Sequence, residues 1–428
     1  MKLPNKRVLA ALLVLAPTSV WATNGMFMIG YGAKSVAMGG TAIANPQDSL
    51  AGATNPATIG EVGMRVDAGA DIFLPSAKAT VELGQPSATT ADSAASHFLI
   101  PNMGGAMPFN RKIAFGFSAV GAGGGGTRYN TNLYNVGKGA TAEKETLGVS
   151  LMFMQMNPTV AYKLNRQNTL GASLVMGIAQ FRAFGLDNFA TFTSTQTPLP
   201  ARGNDWAYGA GVRLGWLGKY FSDKLMLGVM ATSRVYMSKF KKYDELFAEQ
   251  GAMDTPPNFG AGLSYKLTDK LTMAFDVSET LYKSIRSISN PGPNPTGGPQ
   301  GPWPVDQATN SLGRDQGLGF GWRNQTVYKL GVAYAYDDRW TLRAGWNYGK
   351  SPIPANNGAI LFNILAPAVT QNHLTLGAGY ALDGNKEVNV SYMHAFRYTE
   401  YGPTYIVGPR SQIGMAQNAI GVNFGMKF

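Results

Sequence analysis

The sequence predicts an all-β fold, a transmembrane antiparallel β-barrel of about 14 strands with an N-terminal plug in its lumen. Three observations predict it. Apolar and small or polar residues alternate with period two along many segments. Short and long connections alternate between those segments. No apolar run beyond the N-terminal leader approaches the roughly 18 residues of a spanning helix.

The alternation is clearest at the C-terminus, where Phe428, Met426, Phe424, Val422 and Ile420 interleave with Lys427, Gly425, Asn423, Gly421 and Ala419. A strand with one greasy face and one small or polar face is what a wall in lipid requires, since its backbone pairs sideways and one face meets hydrocarbon. The same period sets Trp340, Leu342, Ala344, Trp346 and Tyr348 against Thr341, Arg343, Gly345 and Asn347. It recurs in Tyr328, Leu330, Val332, Tyr334 and Tyr336, in Leu271, Met273, Phe275 and Val277, and in Leu374, Leu376, Ala378 and Tyr380. Trp and Tyr gather near strand ends, as interfacial girdles do.

Tight polar turns are expected at 109–112, 165–168, 220–223, 268–270, 337–338 and 383–386. Long connections are expected near 76–95, 121–145, 184–204, 239–256, 285–320, 351–370 and 399–411. Strict alternation of the two kinds puts all turns on one side of the membrane and all loops on the other. It also makes the strand count even. A secreted β-sandwich or propeller alternates along its strands too, but seldom alternates its loop lengths so regularly.

Composition fits a protein of the bacterial envelope. The charged fraction is 14%, against roughly 25% in ordinary soluble domains. With 53 glycines and no cysteine, disulfides, thiolate metal sites and cysteine nucleophiles are excluded. Lys2, Lys6 and Arg7 precede a short apolar stretch, and Val20-Trp21-Ala22 offers a signal-peptidase site, so 1–22 reads as a secretory signal. Its removal lowers the formal net charge from +11 to +8, three basic residues being lost. The remaining cations are scattered and form no recognisable motif, so a nucleic-acid partner is not expected; anionic lipid headgroups or acidic ligands suit them better. No cofactor or metal is expected.

Residues 23–63 do not read as barrel strands. Gly39-Gly40, Asn45-Pro46 and Asn55-Pro56 are turn and helix-boundary signals, and Asp48 and Ser49 are possible caps. A compact segment of this length fits inside a barrel as a hatch; a periplasmic tail is the alternative. The barrel itself is assigned to 64–428.

Asn55-Pro56-Ala57 ahead of a first strand near 64–75 resembles the FadL/TodX family of outer-membrane transporters of hydrophobic compounds. The likeness continues in order through Pro101-Asn102-Met103, Asn157-Pro158-Thr159-Val160-Ala161-Tyr162 and Asp337-Asp338-Arg339-Trp340-Thr341-Leu342-Arg343. It extends through Ser351-Pro352-Ile353-Pro354 and Val390-Ser391-Tyr392-Met393-His394. The resemblance implies passive transport of long-chain fatty acids or similar hydrophobic molecules across the outer membrane, by a monomer, with lateral exit through a gap in the wall. An aromatic-hydrocarbon channel and a general porin are the alternatives. An esterase would need a serine–histidine pair with an orienting acid, and the only histidines are His97, His373 and His394; catalysis is not expected.

Site residues follow from strand parity and the resemblance together. Parity turns Arg323, Lys329 and Arg343 toward the lumen, where an arginine can hold a carboxylate by paired charge-assisted hydrogen bonds. Arg323 falls where the family has a basic pocket residue, and is the first choice for the ligand carboxylate. For Arg343 and Lys329, pairing with acidic plug or wall residues such as Asp276 is preferred. Arg182 is a family-position candidate that parity places on the rim. Asn55, Pro56 and Ala57 are the expected hatch gate. Gly121, Gly123, Gly124, Gly125 and Gly126 resemble the family's inward kink of the third strand and its lateral exit; a flexible external loop is the other reading. Phe184, Phe189, Phe192, Phe240, Tyr243, Leu246 and Phe247 are expected to line an exposed capture groove, with an amphipathic helix over 240–253.

Overall fold

A computed structural model of the chain describes residues 24–82, 88–135, 141, 144–196, 199, 201–292, 309–354, 360–402 and 410–428. The expected signal segment, 1–22, lies outside the described residues. Fourteen antiparallel strands form one closed sheet: β1 Arg65–Val81, β2 Phe98–Pro108, β3 Ile113–Tyr129, β4 Leu147–Lys163, β5 Asn168–Phe184, β6 Asp205–Tyr220, β7 Leu225–Thr232, β8 Asn258–Lys266, β9 Leu271–Thr280, β10 Gln325–Ala335, β11 Trp340–Gly349, β12 Asn372–Ala381, β13 Lys386–Tyr401 and β14 Gln412–Lys427. Two short extra strands, Thr89–Asp92 and Tyr236–Met237, pair back onto β1 and β6. Each strand pairs with its neighbours in sequence, and β14 closes the ring on β1 from Lys427 opposite Arg65 to Gln412 opposite Thr80. The fold and the strand number agree with the sequence.

The alternating pattern sorts side chains as the sequence implies. Leu342, Trp346, Tyr328, Leu330, Leu374, Leu376, Val422 and Phe424 lie exposed on the outer face, while their sequence neighbours Asn347, Thr375 and Asn423 are buried inside. An outer band of exposed aliphatic and aromatic residues is stable only against hydrocarbon. The apolar outer band marks the strands as the spanning elements; no described helix is long and apolar enough to cross a membrane.

Five of the six short turns share a chemistry. Asn110, Asn165, Thr268, Asp337 and Asp383 each accept from the backbone N–H groups two and three residues on, at 2.7–3.2 Å. A short polar side chain that satisfies two turn amides fixes the reversal locally. The sixth turn instead uses Phe221, Ser222 and Asp223 in the left-handed region, with φ of 52°, 54° and 65°.

The wall is uneven in height. β1, β3, β4 and β5 have 17 residues each, whereas β7 to β12 have 8 to 11. About 9–11 residues cross the bilayer, so the long strands project beyond it on the loop side. Two expected loops are therefore shorter than read: β1 runs to Val81 and β3 to Tyr129. The connection 233–257 and the described parts of the next two, 281–292, 309–324, 350–354 and 360–371, supply the buried Phe240, Phe247, Leu318 and Phe362 above the short strands.

Residues 24–63 form no barrel strand. They contain a short helix at Ala33–Ala37 and 3-10 turns at Ser49–Ala53 and Pro56–Gly60, and nearly all of them are buried. Polar inward side chains of the wall hold them. Asp276 Oδ2 accepts from Ala42 N at 2.8 Å and Ile43 N at 3.0 Å, Asn423 Oδ1 accepts from Ala33 N at 2.6 Å, and Asn347 Nδ2 donates to Gly39 O at 3.1 Å. Space is tight here. A Cβ on Gly345 would lie 2.1 Å from Gly39 N, and one on Gly171 2.2 Å from Ala57 N.

Candidate functional site: lumen, outer cap and wall gap

Of the three expected carboxylate ligands, Arg323 is placed differently from the parity reading. Trp322 and Arg323 precede β10 and are not part of its ladder, so alternation does not extend to them. Trp322 turns inward, donating Nε1–H to Asn363 Oδ1 at 2.6 Å and packing edge-on against Tyr282 at 5.1 Å. Arg323 is exposed, with its backbone N–H donated to Pro352 O at 2.8 Å. The expectation that it faces the lumen is corrected. Lys329 and Arg343 do face inward, and both hold the N-terminal segment. Lys329 Nζ donates to Ile29 O at 2.8 Å and Gly40 O at 3.3 Å, and sits opposite Asp276 in the ladder. Arg343 Nε donates to Gln47 Oε1 at 3.2 Å and Nη1 to Asn389 Oδ1 at 3.3 Å.

Arg213 is the inward cation the sequence reading missed. Parity on β6 finds it, because Trp206, Tyr208, Val212 and Leu214 are all exposed outward. Its guanidinium is buried, donating to Ala53 O, to Thr232 Oγ1 at 2.9 Å and to Gln155 Oε1 at 3.2 Å. Arg213 and Lys329 line a lumen cavity of about 80 Å³ together with Tyr31, Phe27, Met28 and Met230. Burial pushes the Tyr31 hydroxyl above its ordinary value, opposed by the Arg213 charge. A phenol, a guanidinium and an ammonium beside apolar side chains make an amphiphilic chamber.

Asn55, Pro56 and Ala57 form a wedge. Asn55 caps the 3-10 turn by accepting from Ala57 N at 3.0 Å, and its amide donates to Ile43 O at 2.6 Å and to Trp216 O in the wall at 3.0 Å. On the periplasmic side a second tie joins segment and wall. Lys34 pairs with Glu387 at 2.5 Å, Arg65 with Glu387 at 2.6 Å and with Asp67 at 2.5 Å, and Asp67 accepts from Ser49 N at 3.0 Å.

The outer aromatic cluster is closed, not an exposed groove. Phe181, itself missed, is its centre: its ring lies 5.8 Å from Phe240, 4.8 Å from Tyr243 and 4.7 Å from Phe247. Phe189 packs on Phe192 at 5.7 Å and on Phe362 at 5.1 Å. All of these are buried and Leu246 half-buried, leaving a void of about 20 Å³ bounded by Leu312, Leu318, Phe320 and Leu365 as well. Phe184 stands apart on the outer face beneath Arg182, 5.7 Å from its guanidinium carbon. No amphipathic helix forms over 240–253. A 3-10 turn at Lys241–Tyr243 is followed by a break with Glu249 and Gln250 at φ 59° and 57°. Tyr243 Oη accepts from Ala183 N at 3.1 Å and donates to Gly203 O at 2.6 Å, tying this connection to the wall.

The glycine run lies within β3, so the external-loop reading does not hold. β3 pairs with β2 only up to Val120 opposite Asn102, while its pairing with β4 continues past a bulge between Gly121 and Gly123. Above Val120 the inner edge of β3 meets the N-terminal segment: Gly124 N donates to Met26 O at 3.0 Å and Met28 N to Ala122 O at 3.2 Å. A Cβ at Gly123 would lie 2.0 Å from Met26 O, so only glycine admits this approach. Contact with the β2 side resumes where Ala94 N donates to Arg128 O at 2.7 Å. Between these points, β2 and β3 share no ladder hydrogen bonds.

A closed 14-strand barrel with an apolar outer band, an inward N-terminal segment and an aromatic outer cap defines a class: an outer-membrane channel for hydrophobic compounds. Residues 19–401 match the family described as outer membrane protein transport protein (OMPP1/FadL/TodX), and the chain belongs to that family. A long-chain fatty acid transport protein of Salmonella typhi is 24% identical over 352 residues, covering 71% of this chain and 72% of that protein. Among solved structures, the P. putida toluene transporter TodX superposes with a TM-score of 0.68 at 18% identity, covering 94% of this chain and 99% of that one. A Pseudomonas aeruginosa FadL homologue gives 0.67 at 15% identity, covering 94% and 100%. The protein is located in the outer membrane.

Proposed function

We propose that the chain passes long-chain fatty acids, or hydrophobic molecules of similar shape, from the outer cap through the lumen cavity to the membrane by way of the gap between β2 and β3. The observation that carries this route is the partner exchange of β3. Above Val120 it leaves β2 and pairs with Met26 and Met28 of the N-terminal segment. Counting about 10 residues from Ile113 at the periplasmic turn puts the start of the run, Gly121, at the outer edge of the hydrocarbon. Movement follows the ligand's gradient and its preference for apolar surroundings.

Capture requires the cap to loosen, because about 20 Å³ admits no ligand while the rings stay packed. The carboxylate would then sit near Arg213, Lys329 and Tyr31, and the residues 24–63 would serve as the hatch, with the Asn55 wedge as its fixed point. That filled lumen favours a hydrophobic transporter over a polar porin. A second reading is uptake of neutral aromatic hydrocarbons, favoured by the wholly uncharged lining of the cap. The solved relative TodX is a toluene transporter and the Salmonella relative a fatty acid transporter, so the two readings stand side by side.

Uptake of labelled oleate and of toluene in a strain lacking its own transporters separates them. Arg213→Gln is expected to lower oleate uptake several-fold more than toluene uptake, and Arg213→Lys to retain part of it. Equal loss of both substrates in a folded Arg213→Gln barrel would remove the carboxylate assignment.

A further inference from the structure

The inward course of β3 leaves a depression on the outer face of the wall, separate from the lumen. Its cavity of about 420 Å³ is lined by Phe98 of β2, Arg128 of β3, Ser150 of β4, Gln180 and Arg182 of β5, and Asn204 just before β6. Gln180 and Arg182 belong to the outward set of β5 with Leu174 and Met176, so this pocket opens away from the barrel interior.

Three properties point to an anion. Arg128 and Arg182 are both exposed, and among the described residues neither is paired with a carboxylate within 4 Å. Gln180, a lining residue, is only 7% exposed, and its buried amide Nε2 has no hydrogen-bond partner. A buried amide without a partner carries a desolvation cost that an incoming acceptor removes. Ser150, Asn204, Thr127 and Thr146 complete the polar lining, which contains no acid.

The height of the pocket identifies the kind of anion. β5 starts at Asn168, so about 10 residues bring it across the hydrocarbon, and Gln180 and Arg182 lie just beyond. Gln180 is level with Trp206 in the ladder, and the exposed Trp206, Tyr208 and Tyr236 mark the same zone as an interfacial girdle. Apolar wall lies directly below, at Leu174 and Val212.

We propose that this depression binds the anionic headgroup, phosphate or carboxylate, of a membrane amphiphile whose acyl chains lie along the wall beneath it. Two guanidinium groups and an amide donor suit either oxyanion. A phosphorylated outer-leaflet lipid and a fatty acid at the mouth of the gap carry the same chemistry, and the experiment tells them apart. The site does not depend on which substrate the lumen carries.

The full barrel is purified in detergent, delipidated, and offered diphosphorylated lipid A or oleate, with bound lipid counted by native mass spectrometry. Wild type is compared with Arg128→Gln/Arg182→Gln and with Gln180→Leu; Arg339→Gln on the opposite rim is the control. Folding is checked by heat-modifiable gel mobility. The double variant is expected to bind about tenfold less, Gln180→Leu several-fold less, and the control as wild type. Loss confined to lipid A assigns the site to the structural lipid, and loss confined to oleate assigns it to a fatty acid. Unchanged binding of both by folded double variant and Gln180→Leu overturns the proposal, as does equal loss in the control.

Discussion

Replacing Gly123 and Gly125 tests the exit route with two neighbours that the structure treats oppositely. A Cβ on Gly123 would come within 2.0 Å of Met26 O, whereas one on Gly125 meets no atom within 4 Å. Gly123→Ala therefore forces β3 and the N-terminal segment apart. The two hydrogen bonds lost, Gly124 N to Met26 O and Met28 N to Ala122 O, are worth about 1 kcal/mol each. Some 2 kcal/mol shifts the local closed-to-open ratio by roughly 30-fold, which is the ceiling on any rise in uptake if release of this contact limits the rate. Gly125→Phe costs little in the ladder and places a ring in open space beside the gap, so uptake should fall. The assay is the initial rate of labelled oleate or toluene uptake at equal levels of heat-modifiable barrel. If both variants fold and shift uptake in the same direction, or leave it unchanged, the β2–β3 gap is not the exit.

Arg323→Ala is expected to leave oleate and toluene uptake as they are, since Arg323 lies exposed outside β10; a selective loss of oleate uptake would restore it as a ligand residue. Glu387→Gln removes the charge shared by the buried Lys34 and Arg65 and should cost about 3 kcal/mol, read as a lower urea midpoint and faster tryptic cleavage within 24–63. Phe247→Ala opens the cluster around Phe181 and should cost ~3 kcal/mol while speeding capture, measured by stopped-flow binding of a fluorescent fatty acid. Acid should weaken the periplasmic turns: N–H donors from Trp340 and Arg339 hold the Asp337 carboxyl below its ordinary value, and those of Asn385 and Lys386 do so for Asp383. A lowered folded-state pKa stabilises above the unfolded value of 3.8 and is lost as pH falls through the folded one. The Asp337→Asn/Asp383→Asn barrel, which keeps both acceptors, should show a flatter refolding yield in acid than wild type; superimposable profiles would contradict this.

The wall was readable because its physics is periodic. Hydrocarbon outside and a packed segment inside force every second residue apolar, so Trp340–Gly349 and Gln412–Lys427 declare both faces. The turns were readable because one Asn, Asp or Thr satisfies two amides wherever it occurs. Parity fails where the ladder stops, and Trp322 and Arg323 lie three and two residues short of Gln325, where it begins. On β6 parity holds, and the exposed Trp206, Tyr208, Val212 and Leu214 turn Arg213 inward. The cap was illegible for a different reason. Phe181, Phe247, Leu318 and Phe362 converge from a strand and three connections, and no local spacing encodes that meeting. The same holds for 240–253, whose apolar spacing looks helical but serves a packed core of turns.

The ties between the N-terminal residues and the wall also constrain the order of assembly. Ala33 is held by Asn423, Ala42 and Ile43 by Asp276, and Lys34 by Glu387, all on strands synthesised hundreds of residues later. Early strands offer the segment some partners, Asp67 for Ser49 and Trp216 for Asn55, but its docking is complete only when the last strand has arrived. Insertion into the membrane must keep those forty residues waiting on the inner side of a growing sheet, then seal around them, as a bottle is blown around its own stopper.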